Sequence, residues 1–203
     1  MPITLIILAV TCVISFIAFN NRKVMDDLIL WPPAITRSKE YHRLVTYGLV
    51  HADVGHLLFN MITLFFFGRL MEGFFNASRL GAFGFALFYL GALVVSILPT
   101  YLKNRGNPNY RSLGASGAVS AVLFGFVLLA PWSRIIVFVI PMPAIIYAVL
   151  YTAYSIYMDK HGRDNVNHSA HLWGAAYGVL FTLLVNPPLV LSNFLGQLLQ
   201  PRF

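Results

Sequence analysis

The sequence contains few charged residues and a single cysteine. The first fact indicates the class of protein, and the second excludes two kinds of cysteine site. Only 10% of the 203 residues are Asp, Glu, Lys or Arg, whereas 58% are hydrophobic. Because soluble domains carry about 25% charged residues, this composition predicts a protein that crosses the membrane several times. Cys12 has no second cysteine to pair with, which excludes an internal disulfide and a metal site built from several thiolates.

The charges that are present are mostly positive, and they are dispersed between apolar stretches. The formal net charge is +7, a balance that would suit nucleic acid if the basic residues were clustered. Since they are scattered, the lipid bilayer is the predicted partner, and no nucleic-acid partner is expected.

Long apolar runs predict an all-α fold with six transmembrane helices in a single membrane domain, residues 1–203. The first run lacks the basic start and small-residue cleavage site of a signal peptide, so it is predicted to be a transmembrane helix. The fourth run is short, and Pro187 and Pro188 are predicted to end or kink the sixth. The predicted spans are residues 3–19, 55–75, 80–101, 116–130, 143–158 and 168–185.

Two of the connections are predicted to lie at the membrane interface. The first loop, residues 20–54, is long enough to indicate a functional segment, and its aromatic residues favour an interfacial position. The second, residues 135–140, has a β-like sequence and is too short to cross the membrane. Pro143 is predicted to occupy the first turn of the fifth helix.

Polar side chains in the predicted spans are costly in lipid, and such residues usually serve function. His56 and Asn60 are four residues apart on one face of the second helix, and His51 lies just before it. Ser116 begins the fourth helix, and His171 lies near the start of the sixth. With six spans of alternating direction, all five positions fall on the same side of the membrane.

This set of residues predicts acyl-transfer chemistry. A serine hydroxyl needs a base to become a nucleophile, and imidazole is the usual one; His171 could serve Ser116 in this way. A tetrahedral intermediate needs donors for its oxyanion, and the candidates are His56, Asn60 and the backbone N–H of Ser116.

Two glycines follow the histidine of the sixth helix. Gly174 and Gly178 lie three and seven residues after His171, close to its own helix face. Small residues let helix backbones approach each other. The spacing therefore predicts that the sixth helix packs closely against the fourth.

Each candidate residue also has an ordinary structural explanation. Ser116 could cap its helix, His171 could bond to a backbone carbonyl, and Asn60 could join two helices. Their common side of the membrane, beside a seam of small residues, favours an active site instead.

Other protease chemistries fit the sequence less well. A membrane zinc protease would need a His-Glu-x-x-His run, which the sequence lacks. An aspartyl membrane protease needs two aspartates inside its spans, whereas the aspartates here lie in predicted loops or at span edges. A zinc site made of three histidines is a weaker alternative, because no carboxylate is evidently placed to support it.

Three motifs on three predicted spans stand out together: Gly114-Ala115-Ser116-Gly117; Ala170-His171 with Gly174 and Gly178; and His51, His56 and Asn60 in the pattern His-x4-His-x3-Asn. With these motifs, the sequence resembles the rhomboid family of intramembrane serine proteases over essentially its whole length. The resemblance implies the six-helix core of the family, no cofactor, and substrates that are transmembrane helices of other proteins. It also implies a multi-pass protein of the cell membrane.

The resemblance implies a role for each matched residue. Ser116 would be the nucleophile and His171 the base, and the oxyanion hole would consist of His56, Asn60 and the Ser116 amide. The remaining matches would be structural residues near the site: His51, Arg43 steadying the first loop with Glu40 as its partner, Glu72 near the end of the second helix, and the glycines Gly174 and Gly178.

The sequence departs from the family pattern in two respects. Some members carry an aromatic residue one turn after the nucleophile, stacked on the catalytic imidazole; here that position is Ser120, so the imidazole must be oriented otherwise. The loops on the predicted active-site side carry ten basic residues and the opposite side carries four. The positive-inside rule would place the active-site loops in the cytoplasm, whereas the resemblance places them outside, and we favour the resemblance.

Two functions of other classes compete with proteolysis. A catalytically silent relative would only bind membrane helices, but both Ser116 and His171 are present. A small transporter with a proton-relay histidine would be expected to carry carboxylates at the membrane midplane and an inverted repeat, and the sequence shows neither.

Overall fold

The protein is described by a computed structural model that covers residues 2–137, 139–162 and 164–200. Over these residues the chain is mainly helical, as predicted. The elements are α1 (Ile3–Asn20), α2 (Arg22–Leu28), α3 (Pro32–Ser38), α4 (Arg43–Thr46), α5 (Val54–Thr63), α6 (Arg69–Asn76), α7 (Gly84–Asn104), α8 (Ser116–Leu129), β1 (Arg134–Val137), β2 (Ile140–Pro143), α9 (Ala144–His161), α10 (His168–Val185) and α11 (Pro187–Leu199).

Within the described residues, three helical segments are long and apolar enough to cross a membrane. They cover residues 3–20, 54–76 and 81–104. A fourth candidate arises if α10 and α11, which meet at an angle of 115°, form one broken span. The prediction of a polytopic helical membrane protein is confirmed at this level, while the number of six spans stays a prediction. The bend at Pro187 follows the predicted break.

The second of these segments is continuous but changes its helical pitch. A π-helical turn, Leu64–Gly68, links α5 to α6. Gly68 lies where α1 crosses this turn: a Cβ atom there would be 2.9 Å from Cγ2 of Thr4. The absence of a side chain at this position therefore allows the first two long helical segments to pack closely.

The first loop is folded into α2, α3, α4 and a 3₁₀ turn at Tyr47–Leu49. Its anchor is Arg43, which is only 6% exposed. The guanidinium donates to the carboxylate of Glu40 at 2.6 Å and to the carbonyls of Asp26 at 2.6 Å and Ile29 at 2.8 Å. These bonds join α4 to the end of α2, so the first loop has a defined tertiary structure.

The predicted β-like stretch forms half of a hairpin. Strands β1 and β2 pair antiparallel, with Arg134 opposite Pro143; Phe138, inside the predicted stretch, lies outside the described residues. The placement of Pro143 in a helix was wrong, because it ends β2 and precedes α9 with an extended backbone, φ −60° and ψ 138°. The proline ring fixes φ at a value that strand and helix share, and pairing with Arg134 decides ψ.

Helix α8 is the centre of the fold. Every residue from Gly117 to Leu128 is buried, as expected for a helix that is apolar on all sides. α10 runs along one side of it, and α7 packs against both helices. Ser116 thus begins a helix that its neighbours hold on several sides.

The α8–α10 seam is closed by glycines on both helices. A Cβ atom on Gly174 would collide with the carbonyl oxygen of Gly117, and one on Gly178 would collide with that of Ala121. A Cβ atom on Gly117 would lie 2.5 Å from Oγ of Ser96 on α7. The backbones of α8 and α10 can approach this closely only because these positions lack side chains.

Candidate active site

The loop before α8 is fixed by backbone bonds to the first loop. Leu30 and Ser112 form an antiparallel bridge, with N···O distances of 3.0 and 3.2 Å. The N–H of Gly114 donates to the carbonyl of Tyr47 at 2.9 Å. Gly114 has φ +104°, a conformation that side chains rarely adopt. This turn places the next residues at the start of α8.

Ser116 is the first residue of α8, and its hydroxyl faces α10. Oγ of Ser116 lies 2.8 Å from Nε2 of His171. The N-cap position belongs to Ala115, which has no capping side chain. The alternative that Ser116 is a simple N-cap is therefore wrong.

The start of α10 is positioned by Asn167, a residue that the sequence analysis did not single out. Its carboxamide oxygen accepts from the N–H of Ala170 at 3.0 Å and from the Thr100 hydroxyl at 3.2 Å. Its amide donates to Tyr110 at 3.4 Å and Ser112 at 3.5 Å. Asn167 thus links α7, the loop before α8 and α10. The available signal was an asparagine directly before a predicted helix.

The imidazole of His171 is stacked on an aromatic ring supplied by α9. The centroids of the Tyr151 and His171 rings are 6.0 Å apart, and the ring planes differ by 26°. The Tyr151 hydroxyl and Oγ of Ser120 are 2.7 Å apart. The sequence predicted that something other than residue 120 orients the imidazole, but it gave no sign of Tyr151.

His51 lies beneath the loop that carries the serine, where it is fully buried. The N–H of Ala115 donates to Nε2 of His51 at 3.4 Å, so Nδ1 carries the ring proton and donates to Oγ of Ser15 at 3.0 Å. The Ser15 hydroxyl in turn donates to the carbonyl of Leu49 at 2.8 Å. This chain requires a neutral imidazole, and burial together with neighbouring His56 lowers the pKa of His51 to about 3.

His56 and Asn60 lie on one face of α5 and line the space in front of Ser116. The His56 ring sits against Gly114: a Cβ atom on that glycine would be 2.5 Å from Cε1 of His56. The side-chain amide of Asn60 donates to the carbonyl of His56 at 2.9 Å. This bond lies within α5 and does not join two helices.

A cavity of about 930 Å³ opens beside Ser116 and His171. Its size falls within the usual range of ligand pockets. α5 and α9 contribute residues to its walls, and the loops before α8 and α10 contribute polar groups. Among the lining residues are His56, Phe59, Asn60, Ser116, Tyr147, Tyr151, Asn167 and His171.

The position of Glu72 differs from the expectation of a place near the site. Its carboxylate accepts from the backbone N–H groups of Ile3 and Thr4 at 2.6 and 3.0 Å and from the Thr4 hydroxyl at 2.7 Å. It thus stabilises the start of α1. Sixteen residues of helix separate it from His56, about 24 Å at the usual rise. Glu72 therefore lies at the opposite end of the helices.

An aspartate–histidine pair lies beside the cavity, which Asp164 lines. Oδ2 of Asp164 is 3.2 Å from Nε2 of His168, and this hydrogen bond holds the pKa of Asp164 below its usual value. The His168 and His171 rings are 5.8 Å apart, edge to face. Across the described residues, His, Cys, Asp and Glu side chains do not gather in groups of three that could hold a metal ion.

Comparison with known proteins gives consistent results. The Rhomboid domain family matches residues 38–188, a region that contains the residues around Ser116 and His171. The chain is 32% identical to "RHOMBOID-like protein 12, mitochondrial" of Arabidopsis thaliana over 176 residues, covering 80% of this chain and 51% of that protein. It is 30% identical to "Putative rhomboid protease YdcA" of Bacillus subtilis over 164 residues, covering 78% and 77%. The chain thus spans about half the length of the Arabidopsis relative and most of the bacterial one.

Proposed function

Because the chain belongs to the rhomboid family, we propose that it is an intramembrane serine endopeptidase that cleaves transmembrane segments of other proteins. The observation that carries the proposal is the pairing of Ser116 Oγ with His171 Nε2 at 2.8 Å. The two groups line a cavity of about 930 Å³. A member of the family that only bound helices would not need this pairing.

The proposed reaction proceeds through an acyl-enzyme. Oγ of Ser116 attacks the scissile carbonyl carbon while Nε2 of His171 takes the hydroxyl proton. When the tetrahedral intermediate collapses, the C–N bond breaks and His171 gives its proton to the leaving amine. Water then attacks the ester, again with His171 as base, which frees the second product and restores Ser116.

In the proposed reaction, the oxyanion is stabilised by donors from residues that line the space before Ser116. The first N–H groups of α8 have no partner within the helix, and this end carries partial positive charge. The amide of Asn60 and the imidazole of His56 face the same cavity. Donors fixed before the reaction begins lower the barrier because they need not reorganise.

The six-helix arrangement belongs to the same proposal. α8 has 14 residues, which corresponds to about 21 Å of helix, less than the roughly 30 Å of a hydrocarbon core. Neighbouring helices surround α8, so its first turn can lie below the membrane surface with water above it. α9 and α10 have 18 residues each and serve as the fifth and sixth spans of one membrane domain.

The substrate must offer an extended backbone to Ser116. A helical transmembrane segment hides its carbonyls in its own hydrogen bonds, so it has to unwind locally before cleavage. Segments that contain Gly, or Pro near the cleaved bond, should unwind at lower cost. A cell-membrane location remains our prediction. The names of two Arabidopsis relatives assign those proteins to mitochondria and to chloroplasts.

A serine-directed fluorophosphonate tests the proposal. We expect the purified protein to be labelled on Ser116 and to cleave a transmembrane test substrate, with both activities lost in Ser116→Ala. The variant Ser192→Ala, which removes an exposed hydroxyl on α11, is the control and should be labelled normally. Equal labelling of Ser116→Ala and wild type would contradict the proposal.

A further inference from the structure

The aromatic ring that supports His171 comes from α9 and is itself held from α8. The Tyr151 ring lies nearly parallel to the imidazole, 6.0 Å away. Its hydroxyl is 2.7 Å from Oγ of Ser120, which is 5% exposed and lies one turn after Ser116. The ring thus contacts the base at its face and the nucleophile's helix at its hydroxyl.

Two further rings limit the movement of Tyr151. Phe124 of α8 lies 5.7 Å from it, centroid to centroid, and Tyr147 of α9 lies 5.5 Å from it. An aromatic side chain with neighbours on several sides and a bonded hydroxyl keeps one orientation. A planar imidazole stacked on it has less freedom to rotate away from Ser116.

We infer that Tyr151 is a positioning residue for His171 and that Ser120 locks it in place. This inference rests on the proposed function, because it assigns Tyr151 a role only through the imidazole. In this chain the support for the base is carried by α9, whereas the nucleophile and base are carried by α8 and α10. At the level of the site, the hydrogen bond to Ser120 connects α9 to α8, and the ring stack on His171 connects α9 to α10.

The competing explanation is that Tyr151 is a substrate contact. It lines the cavity, and a peptide lying there would touch it. The two roles differ kinetically. Loss of a contact made equally before and during the reaction raises KM, whereas a displaced base lowers kcat. A small fluorophosphonate, which does not fill the peptide groove, should respond to the displaced base alone.

The test compares Tyr151→Leu, which removes the ring, with Tyr151→Phe, which keeps it. Tyr157→Leu is the matched control, since Tyr157 is an exposed tyrosine of the same helix. We expect Tyr151→Leu to be labelled about tenfold more slowly than wild type but to the same end point. Tyr151→Phe should recover most of the rate, and Tyr157→Leu should match wild type. With a transmembrane substrate, Tyr151→Leu should lower kcat and leave KM within about twofold.

A hydrogen-bond comparison tests the role of Ser120. Ser120→Ala and Tyr151→Phe each remove one partner of the same bond, so the double variant should be no slower than the slower single variant. Fully additive losses would overturn the locking role.

Several results would overturn the positioning role. One is a wild-type labelling rate for Tyr151→Leu, and another is a change in that variant confined to KM. A third is a labelling rate for Tyr151→Phe as low as that for Tyr151→Leu. The last is a lower labelling end point for Tyr151→Leu at an unchanged rate, which indicates partial unfolding. A wild-type protein that is not labelled at all contradicts the proposed protease function itself. Labelled wild type with an unaffected Tyr151→Leu contradicts only this inference.

Discussion

The side chains of Ser116 and His171 act as a unit in the proposed reaction, and their substitution should show it. Each of Ser116→Ala and His171→Ala should reduce cleavage on the order of 10⁴–10⁶-fold. Because either change removes the same proton transfer, the double variant should be no slower than the slower single variant. The measurement is kcat on a transmembrane substrate, with thermal unfolding as the control for folding. Near wild-type turnover by Ser116→Ala would refute the assignment.

Loss of either oxyanion donor on α5, Asn60 or His56, should slow cleavage without abolishing it. We expect Asn60→Ala and His56→Ala each to lower kcat on the order of 10²–10³-fold, the usual cost of one oxyanion donor. Labelling by fluorophosphonate should slow in parallel, because its tetrahedral product also carries a negatively polarised oxygen. If either variant raised only KM, that residue would be a substrate contact instead.

His51 should make the stability of the protein sensitive to acid. Its pKa is about 3 in the folded protein and 6.5 in an unperturbed chain. Between pH 6.5 and pH 3, His51 is protonated in the unfolded chain but stays neutral in the folded protein. The free energy of unfolding therefore falls as the pH drops from 6.5 toward 3. Nearly all of this stabilisation is present at pH 7, above the unfolded pKa of 6.5, and it is lost by the time the pH falls below about 3.

The measurement for His51 is the melting temperature in detergent between pH 7 and pH 4. We expect His51→Gln to melt at a lower temperature than wild type at pH 7, and to lose less on acidification. His42→Gln, which removes an exposed histidine of the same loop, is the control and should keep the wild-type loss. Equal losses in wild type and His51→Gln would show that this histidine is not the acid-sensitive group.

At the scale of helices, the α8–α10 seam sets the distance between nucleophile and base. A side chain on Gly174 would meet backbone at Gly117, and backbone cannot rotate out of the way. We expect Gly174→Leu to lower the free energy of unfolding by at least about 1–3 kcal/mol, and to lower activity further by moving His171 away from Ser116.

The matched control for the seam is Gly196→Leu. Gly196 lies in a helix, and a Cβ atom there would meet nothing within 4 Å. This variant should melt and cleave like wild type, which separates the collision at the seam from the general effect of leucine for glycine. An unchanged melting temperature with full activity in Gly174→Leu would refute the seam.

The same elements show how far the sequence could predict the structure. Apolar runs located α1, α7, α8 and α10 because long runs leave little choice of secondary structure in lipid, and glycine spacing located the seam. Tyr151 was missed because a tyrosine within an apolar run gives no local sign of its partner. Its contact with His171 depends on how α9 rotates, which is decided by packing between helices. Pro143 was misplaced for a related reason: it pairs with Arg134 at the end of a hairpin, and its own local sequence does not reveal that partner.

At the scale of the whole molecule, the folded first loop bears on how the chain sits in the membrane. Two of the basic residues on the active-site side are held in place by contacts within the loops themselves. Arg43 is buried, and the guanidinium of Arg111 lies 4.4 Å from the centre of the Trp31 ring while donating to two carbonyls. Two residues of the charge count, Arg163 and Arg202, lie outside the described residues. Charges already fixed in a folded loop are weaker guides to orientation than those of short free loops.

We therefore predict that the loop before α8 is extracytoplasmic and that α1 begins on the cytoplasmic side, against the simple charge count. A cysteine at Gly106 probes this loop, because that position is exposed and a Cβ atom there meets nothing within 4 Å. Ala77→Cys, exposed just after α6, probes the opposite end of the helices. Both belong in a Cys12→Ser background, so that no other thiol reacts.

A membrane-impermeant maleimide applied to intact cells gives the measurement. We expect Gly106→Cys to react in intact cells and Ala77→Cys to react only after the membrane is opened. The physical reason is that packing of α8 between α7 and α10, together with the bonds between the two loops, favours one arrangement strongly enough to carry Lys103, Arg105 and Arg111 across. The reverse labelling pattern would show that positive charge decides the orientation. Ser116 would then face the cytoplasm, and the substrates would have to present their cleavage sites from that side.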